Sequence, residues 1–147
     1  FKDFRVGVNG SYMYTNVKLA GNEGVYTENQ RALQGASPYL ANADVSYSPS
    51  WGEDRRLALA LIYNMQGPRI HTVGIFGLGD VKQDALHTLN FVGSFSFNRH
   101  LTLKWKVNDL LGSTARFRQK VPDTGRKVTV ESYKPGTNAE IGISYTL

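Results

Sequence analysis

The sequence predicts an all-β protein, the wall of an antiparallel transmembrane β-barrel, and three observations lead there. Six segments of about ten residues carry apolar side chains at every second position, the period of an extended strand. The connections between them alternate long and short, as they do where strands run between extracellular loops and periplasmic turns. Eight Tyr, seven Phe, two Trp and fifteen Gly suit strands and tight turns better than helices.

In the first segment Phe4, Val6, Val8, Tyr12 and Tyr14 alternate with Arg5, Asn9, Ser11, Met13 and Thr15, which predicts a strand within residues 4–19. Residues 20–36 have no period and read as a long surface loop. A second strand is expected over 38–48, where Tyr39, Ala41, Ala43, Val45 and Tyr47 oppose Asn42, Asp44, Ser46 and Ser48. After the compact turn PSWGEDRR, Leu57, Leu59, Leu61 and Tyr63 begin a third strand. Leucine favours helix, but the apolar period is two and not 3.6, and Gly67-Pro68 stops any helix early.

Residues 67–85 form the next long loop, and its GIFGLGD stretch reads as a flexible connection. Leu89, Phe91, Phe95 and Phe97 then mark a fourth strand, the short turn Asn98-Arg99-His100 reverses it, and a fifth returns at once. There Leu101, Leu103, Trp105 and Val107 oppose Thr102, Lys104, Lys106 and Asn108, the sharpest contrast in the chain. Residues 112–135 are a third long excursion whose Pro-Asp-Thr-Gly at 122–125 suggests a hairpin of its own. The last segment, TNAEIGISYTL, sets Ala139, Ile141, Ile143, Tyr145 and Leu147 against Asn138, Glu140, Gly142, Ser144 and Thr146.

About ten tilted residues suffice for a strand to cross a hydrocarbon layer, and no run of 18 apolar residues could do so as a helix. In a membrane barrel the apolar face meets lipid and the polar face borders an aqueous lumen. Lys104, Lys106 and Asn108 are therefore expected to face the lumen, with Arg5 in the same orientation. Tyr39, Tyr47, Tyr63 and Tyr145 stand at strand ends, where aromatic rings settle at membrane interfaces.

Catalysis finds no foothold. The chain has no Cys for a disulfide or a thiolate metal site. His71, His87 and His100 fall on separate elements, so no metal is proposed. The side chains of adjacent Glu53 and Asp54 diverge, GIFGLGD has the wrong glycine order for a phosphate loop, and no Ser, His and Asp grouping has positional support. We expect no enzyme and no cofactor.

The net charge of +5 permits an anionic partner, but the basic residues look scattered rather than gathered on one element. Trp105 and the Phe residues also share the face opposite Lys104 and Lys106, whereas a stacking groove wants both together, so nucleic acid is not expected as a partner. Two alternatives stand beside the wall of a large barrel. One is a complete small outer-membrane barrel, an adhesin or narrow pore, with eight strands if the third excursion adds a hairpin. The other is a soluble β-barrel that binds nucleic acid. The opening FKDFRV, with neither an initiator Met nor a targeting segment, reads as part of something longer.

Four stretches carry a resemblance: RALQGASPYLANADVSYS (31–48), LIYNMQGPRIHTVG (61–74), LNFVGSFSFNRHLTLKWKVNDLLGS (89–113) and YKPGTNAEIGISYTL (133–147). In that order, and with matching loops, they resemble the closing strands of Bacteroidetes-type TonB-dependent outer-membrane receptors, over nearly the whole chain. The resemblance implies that residues 1–147 are one domain fragment, the last six strands of a barrel of about 22 strands filled by a plug outside this chain. It implies import of a scarce, bulky nutrient across the outer membrane of a Gram-negative bacterium. The partners implied are outer-membrane lipid, TonB through the plug, the barrel-assembly machinery, and a surface lipoprotein at the loops.

Ile141, Ile143, Tyr145 and Leu147 would face lipid and carry the assembly signal. Members of the family commonly end in Phe. Leu147 takes that place here, while Tyr145 keeps the preceding aromatic. Ligand contacts are expected from the loops at 20–36, 67–85 and 112–135, with no single residue distinguished.

Overall fold

The computed structural model describes residues 2–19, 25–28, 30–122 and 124–147; Gly21 and Gly24 of the first long loop and Asp123 of the 122–125 turn lie outside the described residues. Among the described residues every regular element is a strand. In chain order these are β1 (Phe4–Tyr12), β2 (Val17–Lys18), β3 (Gln30–Arg31), β4 (Tyr39–Tyr47), β5 (Ser50–Trp51), β6 (Arg55–Gln66) and β7 (Arg69–Thr72). There follow β8 (Val81–Gln83), β9 (Leu86–Ser96), β10 (Leu101–Asn108), β11 (Ala115–Lys120), β12 (Lys127–Tyr133) and β13 (Asn138–Tyr145).

The long strands form one antiparallel meander, the wall, in the order β1-β4-β6-β9-β10-β13, with β5 folded back on the start of β6. Its register aligns the sequence alternation across all six strands. Phe4, Tyr47, Leu59, Gly93, Trp105 and Ile141 make one continuous row. Val6, Val45, Leu61, Phe91, Val107 and Ala139 make the next on the same face. A one-residue slip in any pairing would turn that strand's apolar set to the other side, so the match of six patterns is what specifies the register. Gly93 has a packing reason: a Cβ there would overlap the Trp105 indole, which lies across the glycine from the neighbouring strand.

The opposite face carries a polar ladder. Asn42 donates to Asn9 at 2.8 Å, Asn108 donates to Asn138 at 2.7 Å, and the Ser96 and Thr102 hydroxyls meet at 3.0 Å. β1 and β13 are the free edges and do not pair with each other, so the wall is an open sheet rather than a closed barrel.

The first strand is shorter than its sequence pattern. Pairing ends at Tyr12 opposite Tyr39, because Pro38 has no N–H to carry the ladder on; its carbonyl still accepts the Met13 N–H at 2.9 Å. Tyr14 therefore lies beyond the strand. β13 likewise ends at Tyr145, which leaves Leu147 outside it and fully exposed.

The long connections are more ordered than expected. β7 and β8, from 67–85, join β11 and β12, from 112–135, in a second antiparallel sheet of order β12-β11-β8-β7, which we call the cap. The hairpin expected around the 122–125 turn is β11–β12, with a register shift between Phe117 and Arg118. It belongs to the cap and does not widen the wall, since β10 pairs directly with β13. Of the buried apolar side chains among the described residues, Ile70, Ala115 and Phe117 are in the cap and Pro49 is in the turn after β4.

Candidate functional site

Two surfaces are built well enough to act on other molecules: the polar face of the wall and the cap with the hollow beneath it. On the wall, small side chains at Ser46, Ala58, Ala60 and Ser94 leave a shallow hollow of about 650 Å³ between taller neighbours. Lys104, Lys106 and Glu140 stand over it. The register puts Lys106 opposite Val92 on one side and Glu140 on the other, and Lys104 opposite Ser94 and Gly142. Both lysines are exposed, and neither forms an ion pair among the described residues. Asn108 lies on the same face one step beyond the hollow, bonded to Asn138 and, at 3.4 Å, to Glu140. The three polar residues singled out from sequence thus share one face.

Ile141 and Ile143 occupy the other face, 80% and 74% exposed, opposite Trp105 and Leu103 on β10. Tyr145 faces Leu101 at the end of the same pairing, and Leu147 has no place in it. Of the four terminal residues, three lie on the strand and one beyond it.

The cap is held together by contacts between residues far apart in sequence. Arg31, from the first connection, donates to Asp80, from the second, at 2.8 Å, and the two side chains are 4% and 1% exposed. The same carboxylate oxygen accepts the Gly74 N–H at 2.7 Å. Arg31 also donates to the Glu28 carbonyl and lies 5.6 Å from the Tyr26 ring centroid. Gly35 N–H donates to the Ile70 carbonyl and the Gln34 amide to the His71 carbonyl, so the first connection is bound to β7 as well. Phe117 fills the centre, with His71 tilted against it at 4.6 Å and Tyr133 stacked at 6.0 Å.

GIFGLGD is therefore no loose connector. Asp80 anchors its base, the Phe76 N–H donates to the Val25 carbonyl at 2.9 Å, and Phe76 itself holds a left-handed φ of 52°. A bulky residue in that region is strained unless its surroundings hold it.

At the head of β10 Asp109 closes the junction between wall and cap. It is buried with φ 53°, receives the Ser113 N–H and hydroxyl, each at 2.8 Å, and offers its carbonyl to Thr137. At the opposite end Arg99, from the tight turn, meets Asp54 at 2.8 Å and Glu53 at 3.6 Å, a tie that joins the two short connections. The hydrogen bond that Arg99 donates to Asp54, then the charge of that carboxylate, raises the Arg99 pKa above its ordinary value.

Charge is where the sequence reading needs correction. Five of the seventeen basic residues are gathered on the cap: Arg116, Arg118 and Lys120 alternate along β11, Lys82 stands opposite Arg118, and Lys127 opposite Lys120. A hollow of about 320 Å³ beside Lys82 is lined also by Tyr12, Tyr14, Glu28, Arg31 and Arg69, so its charge is mixed. The signal in the sequence was the R-x-R-x-K run at 116–120, a strand period of charge that reasoning from apolar residues passes over.

The three histidines stay apart. His87 bonds the Tyr63 hydroxyl at 2.6 Å, His100 bonds the Thr146 carbonyl at 2.8 Å, and His71 packs on Phe117. Among the described residues no group of three His, Cys, Asp or Glu is placed to hold a metal ion. No family model, no curated protein and no solved structure matches the chain.

Proposed function

We propose that the chain is part of a transmembrane barrel wall, the C-terminal strands of a TonB-dependent receptor in the outer membrane of a Gram-negative bacterium, and that it serves nutrient uptake. One observation carries the membrane reading: a six-stranded sheet whose apolar rows lie open on one face, with none of its strand residues among the buried apolar side chains Ile70, Ala115 and Phe117, which are in the cap. In water such a face is a large adhesive patch on a sheet with two open edges. In a bilayer the same face is solvated by acyl chains, and the polar ladder behind it borders water. The receptor reading rests on the resemblance of the four stretches and their order.

In this reading Ile141, Ile143 and Tyr145 contact lipid, and together with Leu147 they form the signal for the assembly machinery. Lys104, Lys106 and Asn108 line the lumen or meet the plug, through which TonB acts. The edges of β1 and β13 each need a further strand, because an unpaired backbone group in hydrocarbon costs several kcal/mol. The cap lies at the extracellular end, where it contacts the solute or a surface lipoprotein. The chain acts as wall and recognition surface, without catalysis.

Trp105 tests the membrane reading. With Trp51→Phe removing the other indole, reconstitution into vesicles with brominated acyl chains is expected to quench the Trp105 emission strongly. A monodisperse, soluble monomer in plain buffer whose emission ignores those vesicles would defeat the proposal. The receptor reading is tested separately: uptake by the intact receptor is expected to stop when TonB is deleted.

A further inference from the structure

We propose that the hollow at the short-turn end of the wall binds the headgroup of a zwitterionic phospholipid with a primary ammonium, as in phosphatidylethanolamine. Arg55 holds the phosphate, and Glu53 with Asp54 receives the ammonium. The proposal rests on the membrane reading above. Leu57 and Phe95 are opposite each other on the apolar face, and Arg55 and Phe97 lie two positions further along the same two strands, so both continue that face to its end. β5 sets Trp51 opposite Arg55, and Gly52, with a left-handed φ of 65°, makes the reversal between them.

These residues, with Glu53, Asp54 and Asn98, line a hollow of about 490 Å³. Its two walls are held in place. Arg99 ties the turn after β9 to Asp54 at 2.8 Å and to Glu53 at 3.6 Å, and the Asn98 side chain accepts the His100 and Leu101 N–H groups. Phe97 meets Phe95 edge to face at 4.7 Å. The groups that could reach a ligand are left open. Arg55 is exposed and forms no ion pair among the described residues. The Glu53 side chain is 89% exposed beside Arg99, so its carboxylate keeps free acceptor positions.

Charge and shape together narrow the class. Arg55 and Arg99 balance Glu53 and Asp54, so the hollow carries both signs without a net charge. An anionic lipid is recognised by a cluster of cations, and here the two carboxylates would repel it. A choline headgroup has no N–H to donate and is recognised by a cage of rings rather than by two rings flanking carboxylates. A primary ammonium donates to those carboxylates in charge-assisted hydrogen bonds. Arg55 stands where an apolar face ends, the place from which a guanidinium reaches a phosphate layer. The exposed rings of Trp51 and Phe97 supply the amphipathic surface suited to the glycerol and first methylenes.

Trp51 reports on the site directly. In the Trp105→Phe protein, reconstituted in phosphatidylcholine vesicles, its quenching is compared for brominated phosphatidylethanolamine, phosphatidylglycerol and phosphatidylcholine at equal low mole fraction. Phosphatidylethanolamine is expected to be enriched at Trp51 about threefold over the other two, as one exposed charge-assisted contact implies. Glu53→Gln should bring that preference to about one, and Arg55→Gln should lower it about twofold, by the same reasoning. An unchanged unfolding midpoint shows that these variants fold, and Lys104→Gln/Lys106→Gln on the opposite face should leave the preference intact. Free phosphoethanolamine in the buffer should not abolish it, because the acyl chains keep the headgroup at the hollow. The proposal is overturned if no headgroup is enriched, if phosphatidylglycerol or phosphatidylcholine is preferred, if free phosphoethanolamine abolishes the preference, or if the Lys104/Lys106 variant removes it and Glu53→Gln does not. In the Trp51→Phe protein Trp105 should be quenched equally by all three lipids. That result with a flat Trp51 response overturns this site alone, whereas an unquenched Trp105 overturns the membrane reading with it.

Discussion

Phe117 in the cap and Ile141 in the wall are both apolar residues at the regular spacing of a β-strand, yet the first is 4% exposed with two rings against it and the second is 80% exposed on an edge strand. The cap is organised as a water-soluble fold in miniature. It has an apolar centre, a buried ion pair and an outer face of charge. The wall has ladder hydrogen bonds and side-chain rows but nothing packed over either face. The cap supplies its own interior, whereas the wall depends on its surroundings to supply one.

The cap can be disrupted by itself through its buried ion pair. Asp80→Ala leaves the Arg31 guanidinium buried without its carboxylate and should cost the cap about 3–5 kcal/mol. It should show as protease cleavage within 67–85 while the wall strands stay protected from hydrogen exchange. Arg31→Met/Asp80→Leu should recover much of that loss, since replacing both charges removes the stranded one. If the wall loses protection together with the cap, the two regions are not separate.

A charge placed on the apolar face of the wall should act in the opposite region. Leu61→Arg, in the middle of the second apolar row, should destabilise the protein in a bilayer by about 2–4 kcal/mol, measured by unfolding from vesicles. In water the same substitution should improve solubility. The opposite pattern would mark the face as one that packs against protein.

At the junction the effect is smaller. Asp109→Ala removes the acceptors for the Ser113 N–H and hydroxyl and should cost about 1–3 kcal/mol, read as faster amide exchange at 110–114. Arg99→Ala at the far end of the wall should leave the unfolding midpoint where it is, because its partners sit in water where salt screens them.

The wall was legible because a period of two repeated over eight or more residues leaves little ambiguity, as in the pairing of β10 with β13. The boundaries at Tyr12 and Tyr145 were less so, since pairing ends where a partner ends, and Pro38 lies 26 positions from Tyr12 in sequence. The cap was mostly hidden. β8 has three residues and β7 four, too few for a periodic signal, and β8 finds its second partner in β11, more than thirty positions on. The Arg31–Asp80 pair spans 49 positions, and nothing local to either residue announces the other. The 122–125 turn was the exception, because turn chemistry is local.

The union of three connections into one sheet-and-ion-pair unit limits how this end of the wall can change. A tag or insertion placed in any one connection strains the other two, so lengths there cannot drift independently. Any motion of this end must carry all three together, turning where the chain passes between wall and connections at residues 13–16, 32–38, 67–68, 84–85, 109–114 and 134–137.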